Sequence, residues 1–595
     1  MATLKNRLTT VFSKAFEREG FEARFGGVAF ADRPDLADFQ CNGALAAAKS
    51  KGLKPRELAE RIAPQVRAGL DSEFGAGSVD LSIAGPGFIN LKLSGTALAE
   101  TAGRLMGDVR CGVEPRTRSR KVIVDFGGPN VAKSMHVGHL RSSILGDALV
   151  RLHRFLGDTV VGDNHLGDWG TPMGMLICEI RRRQPTLPYF KADFQGQYPR
   201  ESPVAMEELE QLYPVAAKRF KEDEAFAKDV LVATDQLQQG RNPGYRALWQ
   251  HFCDTTIAGL KRDFGRLGIE FDTWYGESFY ESKMPAMVES LRQSGLAKES
   301  EGALVVPLAT EKDPDAPPLI LVKSGGGYLY HTSDLATIQH RVGVLKADLI
   351  LYAVDKRQSL HFKQVFQVAK RAKLAGEAQL VHAAFGTMNG KDGKPFKTRE
   401  GGVLKLKELI EMIHAEAGKR LAEMSVERAY SESEKEDIAD KVGIATLKYA
   451  DLKNNRTVDY VFDLERFSQF EGNTGPYLLY AVVRIQSILK KAADLGMLPS
   501  AQLVAPGVDS ERRLMLELLR LPEALGRAYV ASEPHHLADF GFGLAQVYNS
   551  FYKDCHILTE PDVARRSGWL QLCLLTRDQI RLCMNLLGIQ VPERM

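Results

Sequence analysis

Two histidines at the start of a predicted helix are well suited by position to bind phosphate. They belong to the tetrapeptide His136-Val137-Gly138-His139, which precedes an apolar pattern of helical spacing that ends at Leu156. A helix N-terminus offers free backbone N–H groups and a positive dipole end, so imidazoles there can hydrogen-bond the phosphates of ATP as charge develops. Gly138 would let an adenine ring approach the backbone. The alternative is that two histidines simply cap a helix on a polar surface.

A basic run far downstream is a second candidate for phosphate chemistry. Lys394 and Lys397 belong to the hexapeptide KPFKTR, which follows a glycine-containing stretch at 388–393. Their ammonium groups would act as point charges against a pyrophosphate leaving group, where charge accumulates in the transition state. Lys133, just before the histidines, is a further candidate phosphate ligand. A basic loop by itself is most often solvated surface.

The segments around the histidines predict a doubly wound α/β domain. The apolar run at 122–126 is typical of a buried parallel strand. Gly157 stands where a left-handed residue would end the helix, and 159–162 predicts the next strand. Strand, loop, helix and strand in this order build sheets that bind ligands at the carboxyl ends of their strands. We expect strands at 318–322 and 349–354 to carry the second half of the sheet.

The length of the chain and the distribution of its patterns predict several domains. A chain of 595 residues is too long for one hydrophobic core. A helix at 4–18 and strand-like runs at 27–30 and 87–93 predict a small α+β module. The predicted domains are the α+β module at 1–113, the α/β catalytic domain at 114–408 with a helical insertion at about 181–262, and an all-α region at 409–595.

Composition excludes several classes of protein. Hydrophobic residues at 44% and charged residues at 26% are near ordinary globular usage, which argues against a disordered or fibrous chain. The net charge of +3 means that any RNA contact must come from locally clustered Lys and Arg. Seven scattered cysteines have no zinc-binding spacing, so we expect no structural zinc and a reducing, cytoplasmic location. No run approaches the roughly 20 apolar residues of a membrane span.

The motifs together resemble those of class I aminoacyl-tRNA synthetases, and in particular bacterial-type arginyl-tRNA synthetases. The segment His136–His139 resembles the HIGH signature of that class, and Lys394–Arg399 resembles its KMSKS loop. The basic loop departs from the signature at Pro395, Phe396 and Thr398. Further stretches that resemble hallmarks of the arginyl family are found at 125–133, 164–171, 328–335 and 354–362.

The resemblance implies a ligase that activates L-arginine with ATP and transfers it to tRNA(Arg). It implies ATP as a Mg²⁺ complex, a monomer, and binding of tRNA before arginine is activated. The residues that it implies for electrostatic catalysis are His136, His139, Lys394 and Lys397. Those that it implies for ATP binding are Lys133, Gly138, His139, His165, Gly167, Asp168, Lys394 and Lys397. Those that it implies for arginine binding are Asp125, Asn130, His136, Tyr330, Asp334 and Gln358.

The side chain of arginine itself sets a physical requirement on its pocket. A planar guanidinium with five N–H donors needs carboxylate and carbonyl acceptors in a rigid, matched geometry. By the resemblance, Asp334 would bind the guanidinium and Tyr330 would pack beside it. Each has an ordinary alternative, because Asp334 follows Thr332 and Ser333 at a predicted helix start and could be a cap. Tyr330 alone would be predicted as a core residue.

Contacts with tRNA are also implied by resemblance. The segments that resemble the family's N-terminal domain are 38–42 and 85–90, and those that resemble its anticodon-binding domain are 471–484 and 592–595. The residues expected to contact tRNA are Phe88, Asn90, Asn473, Tyr477, Tyr480 and Arg484. Tyrosine and arginine suit stacking on splayed bases. Tyr548, Phe551 and Tyr552 form an aromatic stripe at helical spacing, which is more often core, and they stay unassigned.

Two rival functions fit parts of the sequence. A small-molecule adenylyltransferase or ligase would share the H-x-G-H site, and the long helical C-terminal region argues against it. A synthetase-like RNA-binding protein without catalysis is the second rival, and the intact His136, His139 and Lys397 argue against it. Charging of tRNA distinguishes both rivals from a synthetase.

Overall fold

The computed structural model describes residues 3–191, 193–309, 311, 313–394, 404–424, 430–500 and 502–595. Lys397 and the rest of 395–403 lie outside these residues. The chain forms two compact units. One contains Met1–Pro115, Phe470–Asn585 and Gln590–Met595, and the other contains Arg116–Gln469 and Leu586–Ile589.

The N-terminal part of the first unit is a small α+β module, as predicted. Its elements are α1 (Leu4–Arg18), β1 (Val28–Phe30), β2 (Phe39–Cys41), α2 (Gly43–Lys51), α3 (Pro55–Phe74), β3 (Val79–Ala84), β4 (Phe88–Leu93) and α4 (Gly95–Gly103). The strands form an antiparallel sheet in the order β1-β2-β4-β3.

The second unit begins with the segments that carry the histidines and continues into a helical insertion. These elements are β5 (Lys121–Asp125), α5 (Val137–Phe155), β6 (Thr159–Asp163), α6 (Thr171–Arg183), α7 (Met206–Glu222), α8 (Glu224–Gln238), α9 (Pro243–Arg266) and α10 (Glu277–Glu281). The interior residues 122–124 of β5 are fully buried, and Gly157 has φ +96° just after α5. The apolar run thus forms the predicted buried strand, and Gly157 has the predicted left-handed conformation after the helix.

The remaining elements of the second unit return to the sheet and then become helical. They are α11 (Met284–Gln293), β7 (Lys298–Ser300), β8 (Ala303–Val306), β9 (Leu319–Val322), α12 (Tyr330–Gly343), β10 (Leu349–Tyr352), α13 (Ser359–Arg371), β11 (Gln379–His382), β12 (Met388–Asn389), α14 (Leu406–Met424), α15 (Glu432–Leu452), β13 (Tyr460–Val461) and α16 (Leu464–Phe467). The first unit ends with α17 (Gly475–Asp494), α18 (Asp509–Leu518), α19 (Leu521–Ala531), α20 (His535–Asp554) and α21 (Val563–Leu586), whose last residue lies in the second unit.

One predicted strand belongs to a different sheet. The run at 318–322 forms β9, which pairs antiparallel with β8 in a three-stranded sheet with β7. The expectation that it completes the parallel sheet is therefore wrong. A short apolar run buries equally well in either type of sheet, so its composition does not identify its partners.

The parallel sheet has the order β11-β10-β5-β6, and its centre is a topological switch point. The chain leaves β5 toward β6 on one side, whereas β10 and β11 lie on the other side. In such a sheet the loops after the two central strands diverge and open a crevice at their carboxyl ends. The segment with the histidines follows β5, and residues 353–361 follow β10. Both therefore begin at the crevice.

The hydrophobic core beside this crevice fixes the flanking helices. Helices α11, α12 and α13 pack with β9 and β10 around a buried cluster that includes Leu335, Ile350 and Val365. This packing positions the first turns of α12 and α13, where several predicted arginine-binding residues lie. In the described part of the chain, no helix combines the length and the apolar composition of a membrane span.

Candidate active site

Backbone N–H groups occupy the Nδ1 atoms of both histidines of the predicted phosphate-binding pair. His136 Nδ1 accepts from the Gly138 N–H at 3.0 Å, and His139 Nδ1 accepts from the His136 N–H at 3.2 Å. Together they form the N-terminal cap of α5. A neutral imidazole has one N–H and one acceptor nitrogen, so the proton of each ring lies on Nε2. The cap therefore leaves two Nε2–H donors at the positive end of α5.

Both rings stay neutral at physiological pH. Burial, followed by the neighbouring His136 and Lys133, lowers the pKa of His139 to about 3. Burial, followed by the charge of Lys133, also lowers the pKa of His136. The two ring centroids lie 3.9 Å apart, so a charge on one ring would repel a charge on the other. Without substrate, the pair thus acts as two neutral hydrogen-bond donors.

Gly138 is required by the histidine pair itself. A Cβ atom on Gly138 would lie 2.7 Å from Cε1 and 2.8 Å from Nδ1 of His136. Any side chain there would push the imidazole off the backbone N–H that fixes its tautomer. This contact gives the glycine a reason that the sequence alone did not reveal, beside the predicted approach of an adenine ring.

Helix α7 of the insertion contacts Lys133 and Lys405, and Lys405, in the segment after the basic loop, pairs with His136. The Nζ of Lys133 lies 4.4 Å above the ring of Tyr213 on α7, a cation–π contact. Lys405 forms an antiparallel bridge with His136, and its Nζ lies 2.7 Å from Glu210 on α7. The start of the His136–His139 segment is therefore hydrogen-bonded to the chain that follows the basic loop.

Asn130 lies in the loop after β5, which pairs with the chain after β6. The Val131 N–H donates to the Gly167 carbonyl at 2.9 Å, and the Gly167 N–H donates to the Pro129 carbonyl at 3.0 Å. A Cβ on Gly167 would lie 2.1 Å from Oδ1 of Asn130. The absence of a side chain at Gly167 thus leaves room for the exposed amide of Asn130.

Asp168, a predicted ATP ligand, has both carboxylate oxygens bonded within the protein. Oδ1 accepts from the Ser278 N–H at 2.9 Å, and Oδ2 accepts from the Ser278 hydroxyl at 2.6 Å. Burial raises the pKa of Asp168, and the bonds from Ser278 oppose that rise. These contacts attach α10 to the chain after β6.

The carboxyl end of the sheet holds a buried ion triad that was not predicted. Nη2 of Arg341 lies 2.6 Å from Oδ2 of Asp125 and 2.6 Å from Oδ2 of Asp163, the last residues of β5 and β6. Arg341 is fully buried. Burial raises the pKa of Asp125, whereas Arg341 and His165 lower it. Asp125 is thus held by Arg341 on one oxygen at the crevice.

Asp334 and Tyr330 lie in the first two turns of α12 and share a cluster with His361. Asp334 is the fifth residue of the helix, so it is not the N-cap, and its Oδ2 lies 2.6 Å from Nε2 of His361. Tyr330 is 57% exposed, and its ring stacks on His331 with centroids 4.3 Å apart. The structure thus contradicts both ordinary alternatives, the helix cap and the core tyrosine.

Glu277 is a second acidic residue of this region, and sequence reasoning missed it. Burial raises its pKa, His165 opposes that rise, and the carboxylates of Asp168 and Asp334 add to it. Its N–H donates to the Leu166 carbonyl at 3.0 Å, which ties α10 to the loop that contains His165. The only signal in the sequence was an acidic residue beside a glycine at a helix start, which is too common to single out.

The remaining predicted ligands, Gln358, Lys394 and His165, lie outside the α-helices and β-strands. Gln358 is exposed and is the N-cap residue of α13, three residues before His361. The carbonyl of Lys394 accepts from the Gly390 N–H at 2.8 Å, and its N–H donates to Asp392 Oδ1 at 3.1 Å, which makes a tight turn after β12. His165 lies beside Tyr280, with ring centroids 5.6 Å apart.

The predicted tRNA contacts lie in the first unit. In the N-terminal module, the Oδ1 of buried Asn90 accepts from Gln40 Nε2 at 2.7 Å. Phe88 begins β4 and is half-buried. Oδ1 of Asn90 is thus engaged within the sheet, whereas part of the Phe88 ring reaches solvent.

In the helical region, the predicted contacts form a stripe near the start of α17. Tyr477, Tyr480 and Arg484 share a helix face, Asn473 lies just before the helix, and Tyr480 is 36% exposed. The Arg484 guanidinium lies 4.3 Å above the ring of Tyr552. The unassigned Tyr548 and Phe551 are buried core residues, as their spacing favoured.

One group of potential metal ligands is present among the described residues of the first unit. Glu533, His535 and His536 bring three ligand atoms within 4.8 Å of one another. The group lies at the positive end of α20, and burial, followed by His535 and Arg527, lowers the pKa of His536. The prediction that the chain has no structural zinc stays a prediction. All seven cysteines are buried and free of disulfides, in line with their scattered spacing.

The parallel sheet, its switch-point crevice and the histidine cap of α5 define a class I aminoacyl-tRNA synthetase. A family model described as "tRNA synthetases class I (R), catalytic domain" matches residues 104–464. Models described as "Arginyl tRNA synthetase N terminal domain" and "DALR anticodon binding domain" match residues 2–93 and 478–595. The chain belongs to the arginyl-tRNA synthetase family.

Relatives are similar over the whole chain. The arginine–tRNA ligases of Alkaliphilus oremlandii and Hyphomonas neptunium are 45% and 48% identical to it, with 100% of each chain covered. The crystal structure of arginyl-tRNA synthetase from Plasmodium falciparum matches with a TM-score of 0.79 at 25% identity, again over 100% of both chains. The predicted family and fold class are confirmed.

Proposed function

We propose that this chain is an arginine–tRNA ligase, and that the histidine cap of α5 and the cluster of Asp334, Tyr330 and His361 form its activation site. The observation that carries the proposal is their common position at the switch-point crevice: the cap follows β5, and Asp334 is bonded to the helix that follows β10. A donor pair for phosphate and an acceptor for a guanidinium are what arginine activation requires.

In the first step, the carboxylate of arginine attacks the α-phosphorus of ATP. The bond from the α-phosphorus to its bridging oxygen breaks, and pyrophosphate leaves. His136 and His139 would donate their Nε2–H groups to phosphate oxygens, where negative charge accumulates. Lys133, Lys394 and Lys397 would supply positive charge around the triphosphate. His165, Gly167 and Asp168 are proposed to shape the nucleotide side.

The arginine would lie with its guanidinium toward Asp334 and Tyr330. Glu277 adds a second carboxyl group to this region, which supports an acidic pocket. Asp125, Asn130 and Gln358 would hold the amino-acid end, and the Nε2–H of His136 would lie between the arginine carboxylate and the α-phosphate that it attacks. Asp125 can do so with the oxygen that Arg341 does not use, because a carboxylate offers about four lone-pair sites.

In the second step, a ribose hydroxyl of the terminal adenosine of tRNA(Arg) attacks the carbonyl carbon of the adenylate, and AMP leaves. The stripe of Asn473, Tyr477, Tyr480 and Arg484 suits stacking on unpaired bases. Phe88 and Asn90 are proposed to contact the same tRNA elsewhere. The proposal includes ATP as its Mg²⁺ complex, a monomeric enzyme, and the cytoplasm as its compartment.

The test is arginine-dependent exchange of pyrophosphate into ATP, measured with and without tRNA and beside the other amino acids. We expect exchange with arginine alone among the amino acids, and only when tRNA is present. Exchange with a different amino acid and not with arginine would overturn the substrate. Binding of tRNA without charging would favour the non-catalytic rival, and exchange with no tRNA binding would favour the small-molecule rival.

A single substitution tests the pocket. Asp334→Ala should raise the KM for arginine about 10- to 100-fold, because a hydrogen bond to a charged group is lost. The matched control is Asp229→Ala, which removes an exposed carboxylate on α8 that pairs with Arg181. An arginine KM that is the same in both variants would remove Asp334 from the pocket.

A further inference from the structure

His361 and Asp334 form a hydrogen-bonded pair in the proposed arginine pocket. Nε2 of His361 lies 2.6 Å from Oδ2 of Asp334, and the two side chains are 11% and 20% exposed. An ionised carboxylate can only accept, so His361 must carry its proton on Nε2. The contact joins the first turn of α13, the helix that follows β10, to α12, the helix that precedes β10.

Aromatic neighbours hold the His361 ring in the orientation that this bond needs. The ring centroid lies 5.0 Å from that of Tyr330, 4.8 Å from that of His331 and 5.1 Å from that of Phe362. In the described part of the chain, its Nδ1 atom is buried and has no hydrogen-bond partner. The hydrogen bond of the His361 side chain is thus made to the carboxylate of Asp334.

We propose that His361 is a positioning residue for arginine recognition, which holds the Asp334 carboxylate in the plane that a guanidinium requires. This inference rests on the proposed function. A carboxylate that binds a guanidinium through two parallel N–H bonds must have a fixed orientation. One N–H from His361 fixes Oδ2 and leaves Oδ1, together with a lone pair of Oδ2, for the substrate. The carboxylate is then ordered before arginine arrives.

The predicted effect is on arginine and not on ATP. His361→Phe keeps an aromatic ring of similar shape and removes both nitrogens. It should raise the KM for arginine about tenfold, because Asp334 must then be ordered by the substrate itself. The KM for ATP should not change. His361→Gln offers a neutral N–H near the Nε2 position and should recover most of the loss.

A double-mutant cycle separates positioning from a general structural role. If His361 acts through Asp334, His361→Phe should have no further effect on the KM for arginine in an Asp334→Ala background. His382→Gln is the matched control: its ring packs on the same Phe362 at 4.6 Å, and its Nε2 contacts the Val354 carbonyl. That control should leave both KM values unchanged. Thermal melting checks that each variant is folded, and His361→Leu serves as a second apolar variant if the phenylalanine does not fit.

The outcomes distinguish this inference from the function on which it rests. A wild-type enzyme that shows no arginine-dependent exchange with tRNA overturns both. Arginine-dependent exchange with an Asp334→Ala defect, but with a normal arginine KM in folded His361→Phe and His361→Leu, overturns the positioning role alone. An equal rise in the KM for ATP and for arginine, or a full effect of His361→Phe in the Asp334→Ala background, also overturns it.

Discussion

The tautomers of the histidine cap make a sharp prediction about His139. Its Nδ1 accepts from the His136 N–H, and its Nε2–H is the group proposed to meet phosphate. Asparagine can reproduce the acceptor near Nδ1 but has nothing at Nε2, whereas glutamine can reproduce a donor near Nε2 but leaves the His136 N–H without its acceptor. The two amides therefore separate the two functions of one ring.

The two variants are expected to lose different amounts of activity. His139→Asn removes one preorganised donor from a site of developing charge, which costs about 2.7–4 kcal/mol, or roughly 10²–10³ in kcat. His139→Gln loses one backbone hydrogen bond, worth about 0.5–1.5 kcal/mol, or at most about tenfold in rate. We therefore expect His139→Gln to be at least about tenfold more active than His139→Asn.

The assay is single-turnover formation of arginyl-adenylate in the presence of tRNA, at saturating ATP and arginine. Thermal melting controls for folding, and the asparagine variant should melt at least as high as the glutamine variant because it keeps the cap bond. Equal rates for the two variants, or a faster asparagine variant, would refute the assignment of the Nε2–H as the donor. Because the pKa of His139 is lowered to about 3, the wild-type rate should also not increase as the pH falls from 8 to 6.

Three further outcomes follow from the same geometry. Arg341→Met should lower the free energy of unfolding by about 3–5 kcal/mol in urea, since it leaves two buried carboxylates without their guanidinium; an unchanged urea midpoint would contradict this. Gly167→Ala should raise the KM for arginine, because the new Cβ meets Oδ1 of Asn130 at 2.1 Å; a wild-type arginine KM would argue against that contact. The free energy of unfolding should decrease as the pH falls from about 6.5 toward 3, because His139 binds a proton in the unfolded chain but not in the folded one. Urea unfolding at pH 7 and pH 5 measures this decrease. If the decrease is the same in His139→Asn as in the wild type, His139 is not its cause.

Local patterns in the sequence predicted the elements that carry the site. The helix α5 and the strands β5 and β6 follow from apolar spacing and from a glycine that ends the helix, both of which are properties of neighbouring residues. Resemblance to the arginyl family selected Asp334 and Tyr330 from among many acidic and aromatic residues. The short run at 318–322 shows the limit, because its apolar composition does not specify which strand it pairs with.

What the sequence did not reveal depends on contacts between distant residues. The ion pair of Asp125 with Arg341 joins residues 216 positions apart, and the pair of Asp334 with His361 joins two different helices. Glu277 is notable only because the charges around it come from separate segments. The tautomers of the histidine cap likewise depend on where backbone N–H groups point. Spacing along the chain contains none of this information.

The triad at the carboxyl end of the sheet also has a consequence for how the chain is made. Ribosomes add roughly 5–20 residues per second, so Arg341 emerges about 10 to 40 s after Asp125, the partner that it neutralises. During that interval β5 and β6 end in two carboxylates that cannot be buried without their guanidinium. Helix α6 and the insertion helices α7 and α8 contact one another and emerge within that interval. These helices can therefore pack together on the ribosome before Arg341 emerges to neutralise the two carboxylates at the crevice.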